Sequence, residues 1–357
     1  MRKLIPVPAA LAVLMPLGAC LDQLEDAGED DEADLATVEA PFTGDGCTSG
    51  AEGACDGVLT LPFNGTNYTL PYYRNHALGD PPSTIKRAVL VIHGANREPW
   101  KYFDAIVDSA AGAGKLGETI VLAPYFEKVP SHANGLCWTD PDWPIGGYTG
   151  TGCGNVSTFE VIDTILDRLL DRTRFPNLTR IVITGHSAGG QMTQRYAALG
   201  KRINSAIPAG VQIRYAPANP SSYMYLNGMR WIGGAWSYPI GCPAIYDFYG
   251  YGLMNRTATG TYHDDYAASV VRTLYPARDV HYIAGTADTD TSSEQFDDGC
   301  EASAQGANRF YRALVFGYHM DTWYPSHRHK LVLVANVGHS APAIYTSAEG
   351  RRTLFAW

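Results

Sequence analysis

The 357-residue sequence predicts an α/β fold, a mostly parallel sheet with helices on both faces. Three observations carry that expectation. Short apolar runs such as Ala88-Val89-Leu90-Val91-Ile92 and Ile181-Val182-Ile183 read as strands buried on both sides. They alternate with helical periodicity, plainest over 156–172, where Phe159, Ile162, Ile165, Leu166, Leu169 and Leu170 recur on one stripe. Several runs end in small-residue turns that release a Ser, Asp or His, as happens at the C-terminal edge of a parallel sheet.

The elements follow in order. Residues 58–63 and 68–73 alternate around Asn64-Gly65 and read as a hairpin on the sheet's antiparallel edge. Then come a strand at 88–92, a helix near 99–113, a strand at 119–123, the helix near 156–172 and a strand at 180–184. A helix through Gln191 to Leu199, ended by Gly200, leads to a strand near 204–208. A strand at 280–284, a helix near 301–320, a strand at 330–334 and a last helix complete the body. Two long stretches, 124–155 and 211–259, are rich in Gly, Pro and aromatics and should emerge beside the site. Their rings either wall an aromatic-lined cleft, with Trp143, Trp236 and Tyr223 touching substrate, or form a satellite core.

Arg180 to Gly190 reads RIVITGHSAGG, which contains the G-x-S-x-G nucleophile elbow. Gly185 and Gly189 flank Ser187 because so sharp a strand-to-helix reversal leaves no room for a Cβ. The turn presents the Ser187 hydroxyl at a helix N-terminus, where the Ala188 amide has no intrahelical partner and can donate to an oxyanion. A serine hydroxyl is a weak nucleophile and needs a base, which in turn needs an acid. In this chain order the acid follows the serine and the histidine comes last. Asp288 lies just past the strand at 280–284, with Asp290 as the alternative, and His339 follows the strand at 330–334. His327 and His329 precede that strand and belong at its other end. The early strand at 88–92 ends in His93-Gly94-Ala95-Asn96, which offers the Ala95 amide as second oxyanion donor.

These pieces resemble the α/β-hydrolase superfamily over roughly residues 85–345. More narrowly, GHSAGGQMTQRYA, Asn219-Pro220-Ser221-Ser222-Tyr223, and the segment from Asp288 to Arg309 with Cys300 and Gln305-Gly306-Ala307-Asn308-Arg309 resemble a family of secreted bacterial and fungal hydrolases. That family is similar to polyhydroxyalkanoate depolymerases and feruloyl esterases. The resemblance implies the α/β-hydrolase fold with long disulfide-pinned loops over the site. It favours Asp288, because the acid of those enzymes lies in a comparable Gly-Thr-Ala-Asp segment.

The N-terminus has Arg2 and Lys3, an apolar stretch and Leu17-Gly18-Ala19-Cys20, which resembles a bacterial lipobox. This implies a signal peptide over 1–19 and acylation of Cys20, with Leu21 favouring the outer membrane. Residues 20–45 should be a disordered acidic tether, since 21–40 hold nine acids and no Lys or Arg. Residues 46–357 then form a single hydrolase domain with its N-terminal hairpin. Setting Cys20 aside leaves six of the seven cysteines, which allow fifteen pairings. The economical scheme joins Cys47 to Cys55, Cys137 to Cys153 and Cys242 to Cys300. None has C-x-x-C spacing, which speaks against zinc.

A net charge of −9 offers no basic field for nucleic acid, and no other apolar stretch is long enough to span a bilayer. The expectation is therefore an extracytoplasmic, monomeric serine esterase, anchored only by lipid and needing neither metal nor organic cofactor. It would cleave an ester, aryl or polymeric, through an acyl-enzyme. The alternatives are amide or β-diketone C–C hydrolysis by the same triad, a lipase, or a non-catalytic surface-binding lipoprotein.

Overall fold

The computed structural model describes residues 56–256, 262, 266–293 and 295–357. The expected signal peptide, Cys20, the acidic tether and the Cys47–Cys55 pair lie outside the described residues. Strands β1 (Asp56–Phe63) and β2 (Thr66–Arg74) pair antiparallel around Asn64 and Gly65, whose φ values of 49° and 77° suit the tight Asn-Gly turn. After them come β3 (Arg87–Ile92), α1 (Pro99–Gly112), β4 (Thr119–Pro124), α2 (Thr158–Leu170), β5 (Arg180–His186) and α3 (Ala188–Leu199). Then follow β6 (Gln212–Ala218), a small hairpin of β7 (Arg230–Ile232) with β8 (Ala235–Ser237), and α4 (Ala268–Leu274). The chain closes with β9 (Asp279–Gly285), α5 (Cys300–Ser303), α6 (Arg309–Trp323), β10 (Lys330–Val334), α7 (Ala341–Thr346) and α8 (Ala348–Phe355).

The main sheet runs β1-β2-β4-β3-β5-β6-β9-β10, parallel from β4 onward and antiparallel at β1 and β2. Strand period two divides its side chains between two cores. Leu90, Ile92, Ile181 and Ile183 pack with α2, α3 and α6, whereas Val89, Val91 and Val182 pack with α1, α7 and α8. Strands β3, β4 and β5 are therefore covered on both faces, which is why they read as continuous apolar runs. Helix α2 is fixed at its start by a capping box. Ser157 Oγ accepts from Phe159 N at 3.1 Å and Glu160 Oε2 accepts from Ser157 N at 2.7 Å. Its stripe is fully buried, each side chain contributing about 1.5–3 kcal/mol.

Three sequence expectations are corrected. The strand placed near 204–208 does not form; that segment leaves a short 3-10 helix (Arg202–Asn204) as irregular chain, and the strand is β6 at Gln212–Ala218. Pro208 and Gly210, at φ 82°, redirect the chain before it enters the sheet. Arg214 disguised the true strand: it is nearly buried because Asp279 Oδ2 at 2.8 Å and Thr353 O at 3.0 Å accept from it and the Trp357 ring lies against it. The helix expected over 301–320 is split into α5 and α6 at Gly306, φ 146°, after which Asn308 Oδ1 caps Tyr311 N at 2.8 Å. The final helix is likewise two, because the Ser347 side chain caps Gly350 N at 2.9 Å and starts α8 afresh.

Disulfides join Cys137 to Cys153 and Cys242 to Cys300, with Cα separations of 5.5 and 5.7 Å. The first pins the loop between β4 and α2. The second ties the long loop after β6 to the start of α5. That loop is further organised by Arg230, fully buried between the Tyr225 and Tyr246 rings, where its guanidinium serves Asp247 and the carbonyls of residues 227, 229, 246 and 251. Among the described residues, no helix is long and apolar enough to cross a membrane.

Candidate active site

The turn from β5 into α3 is built by exclusion of side chains. A Cβ on Gly185 would strike the Gly189 carbonyl, and one on Gly189 would strike the carbonyls of Ile92 and His93. Glycine at both positions lets α3 press against the end of β3. Ser187 between them holds φ 57° and ψ −120°, a conformation that costs a non-glycine residue on the order of 1–3 kcal/mol. Its N–H donates to Ala218 O at 3.0 Å and its carbonyl accepts from Gln191 N at 3.0 Å, so the strained peptide is tied at both ends. Ala188 is the first residue of α3, and its amide therefore faces out of the helix without an acceptor in the preceding turn.

The loop after β3 lies beside this helix start. His93 is fully buried, and burial pushes its imidazole down to about 3 despite the Gly94 carbonyl beside it. The neutral ring donates from Nδ1 to Gly94 O at 2.9 Å and accepts at Nε2 from Phe126 N at 3.2 Å. It thereby joins the loop bearing Gly94 and Ala95 to the segment after β4. A Cβ on Gly94 would meet the Tyr102 hydroxyl, which would have to move aside. Arg97, at φ 56°, donates to Phe126 O at 2.8 Å and Trp138 O at 3.0 Å and closes the loop from below.

Asp288 and His339 meet at the same sheet edge. His339 Nδ1 lies 2.8 Å from Asp288 Oδ2; the aspartate is 1 % exposed, whereas the imidazole is 28 % exposed. Asp290 instead lies on an exposed turn, with Oδ1 accepting from Ser292 N at 2.8 Å. The His339 ring also faces that of His186, the residue before Ser187, at a centroid separation of 4.4 Å. No hydrogen bond joins Ser187 Oγ to His339 among the described residues, and such contacts commonly tighten only around a substrate.

One side chain beside this pair has no sequence signal beyond its place in the QGANR stretch. Arg309, the first residue of α6, is 2 % exposed, with Nη1 at 3.7 Å from Asp288 Oδ1, Nε donating to Ser221 Oγ at 2.9 Å and the Phe296 ring beneath it. A buried cation thus stands behind the buried carboxylate, opposite the imidazole. The distance to Oδ1 is too long for a direct hydrogen bond, so the interaction is electrostatic.

Two aromatics expected at a cleft are core residues. Trp143 is 1 % exposed and packs on His93 and Phe126; Tyr223 is fully buried against Phe316. Their burial supports the satellite-core reading of the long loops. Trp236 is partly buried and stacks on Tyr318, about 13 Å along α6 from Arg309. It belongs to a cluster with Trp231 and Trp323 toward the far end of that helix.

The fold is shared with known hydrolases. Poly(aspartic acid) hydrolase-1 from Sphingomonas sp. KT-1 superposes with a TM-score of 0.56 and 22% identity over 83% of this chain and 97% of its own. A poly(3-hydroxybutyrate) depolymerase from Bordetella parapertussis gives 0.56 and 18% over 84% and 90%. At these identities the likeness establishes the α/β-hydrolase fold. No family profile and no curated protein matches the chain.

Proposed function

We propose that the protein is an extracytoplasmic serine hydrolase that cleaves carboxylic esters through an acyl-enzyme. The observation that carries this reading is the 2.8 Å contact of His339 with buried Asp288 at the edge where the strained Ser187 begins α3. His339 takes the Ser187 proton as Oγ attacks the ester carbonyl, and Asp288 orients and stabilises the imidazolium. The amides of Ala95 and Ala188 donate to the tetrahedral oxyanion. Collapse breaks the ester C–O bond, and the alcohol leaves with the proton from His339. Water then repeats the sequence on the acyl-serine and frees the acid.

The likeness to the fold of a poly(3-hydroxybutyrate) depolymerase supports a polymeric ester as substrate class. The lipobox-like Leu17 to Cys20, the acidic stretch and the disulfides support an exported domain, 46–357, held by an acylated Cys20 on a tether over 20–45 after loss of 1–19. The domain acts as a monomer. The test is a fluorophosphonate probe together with p-nitrophenyl esters, polyesters, peptides and β-diketones. Labelling lost in Ser187→Ala, with esters the best substrates, supports the reading. An unlabelled folded protein would leave a binding module instead, and faster cleavage of peptides or diketones would move the activity to those bonds.

A further inference from the structure

Asn219 sits where the ends of three strands converge. It follows β6 directly, its N–H donates to Ile283 O of β9 at 2.9 Å, and its backbone takes a left-handed φ of 42° that Asn tolerates better than most residues. The side chain is 3 % exposed, and both ends of its carboxamide are used. Oδ1 accepts from Gly285 N at 2.9 Å, while Nδ2 donates to Gly338 O at 3.1 Å and approaches His186 Nε2 at 3.4 Å. A flipped amide would set its oxygen against the Gly338 carbonyl and its NH₂ against the Gly285 N–H, so the network fixes the orientation.

Gly338 immediately precedes His339. The loop bringing them from β10 turns at Asn336, φ 59°, and crosses so close to the end of β9 that a Cβ on Gly285 would strike the Val337 carbonyl. Asp288 holds the imidazole from one side and His186 faces it from another. Burial, then the charges of His339 and Arg309, keep His186 well below its ordinary range and therefore neutral. With its proton on Nδ1, the ring accepts from Asn219 at Nε2.

We propose that Asn219 is a positioning residue for the acid–base pair: its carboxamide fixes the Gly338–His339 peptide against the ends of β6 and β9 and holds the His186 ring against that of His339. The inference rests on the serine-hydrolase reading above. A base that must pass a proton from Ser187 to a leaving group works only near one geometry, and a displacement of about 1 Å lowers turnover by about 100-fold. Asn219 acts through the peptide and the neighbouring ring, without touching substrate.

Asn219→Asp keeps the side-chain shape and the acceptor for Gly285 while removing both donations. Asn219→Gly removes the whole side chain and suits the φ. Each should lower kcat per fluorophosphonate-titrated site by about 10- to 100-fold with KM within about threefold, and the Asp variant, which sets a buried carboxylate oxygen against the Gly338 carbonyl, should also melt at a lower temperature. A kcat per titrated site within twofold of the parent in both variants overturns the proposal. A second readout does not need turnover: the downfield proton resonance of the His339–Asp288 bond, identified by its absence from His339→Ala. It should shift or broaden in both variants, and an unchanged line would overturn the role. A parent that neither labels nor hydrolyses defeats the serine-hydrolase reading, while this resonance still decides what Asn219 does.

Discussion

The two sides of the site are held in place by different means. Around Ser187, backbone packs directly on backbone, with Gly185 against Gly189 and Gly189 against the end of β3. Around His339 one such contact, Gly285 against the Val337 carbonyl, is joined by side chains that span the gaps between strand ends: Asp288 to the imidazole, Arg309 behind Asp288, and Asn219 to Gly338. The first arrangement has no slack, because any added atom must move a strand or a helix. The second can lose one contact and keep its fold. It follows that changes that add bulk around Ser187 should damage stability and activity together, whereas changes around His339 should lower turnover in a folded protein.

The sharpest tests of that difference are ranked by expected effect. Ser187→Ala alters the attacking atom without adding bulk, and ester turnover should fall by about 10⁴-fold or more with the thermal midpoint retained. Asp288→Asn keeps the shape but lets the imidazole take the wrong tautomer, so kcat should fall by about 10³- to 10⁴-fold in a protein that still melts cooperatively. Gly189→Ala should destabilise the fold on the opposite side by on the order of 3 kcal/mol, seen as a lower denaturation midpoint or as insoluble protein. If it melted like the parent, the contrast between the two sides would fail. Arg309→Met should reduce kcat about tenfold with KM retained, and Arg309→Lys should recover part of the loss.

A smaller effect comes from neutral imidazoles buried outside this contrast. Burial holds His93, His319 and His329 each down at about 3. An unfolded histidine titrates near 6.5, so between about pH 6.5 and 3 the unfolded chain binds protons that the fold does not. Stability is therefore complete above 6.5 and falls as pH drops through that window, by up to about 1.4 kcal/mol per pH unit for each such group. The thermal midpoint should decline steadily from pH 7 to 5, and His319→Phe should flatten the decline. Asp104, which burial raises to about 7, works in the opposite sense, so the decisive comparison is with the variant: a decline equally steep in His319→Phe would show that this ring gains a proton inside the fold.

What could be read from the sequence follows the same division. The helix at Thr158–Leu170, the strands around β3 and β5, and the turn at Ser187 were legible because glycine spacing and apolar periodicity are local signals. Strand β6 was not, since Arg214 and Pro217 contradict a buried strand until Asp279 and Trp357 are seen beside Arg214. Arg309 and Asn219 were present only as parts of conspicuous stretches, because their partners lie 21–88 and 33–119 residues away in the chain. Trp143 and Tyr223 could be placed beside a cleft or in a core by composition alone, and only packing distinguishes the two. Side-chain bridges between distant strand ends leave no periodicity to read.

The Cys242–Cys300 bridge makes a covalent ring of the chain between its two cysteines, and Asp288 lies on that ring. A protease that cuts once anywhere between them yields two fragments that stay linked. Such a nicked molecule should run as a single species on a gel without reductant and as two with it. The cut ends would remain tethered within reach of each other, so one scission need not separate Asp288 from the rest of the protein.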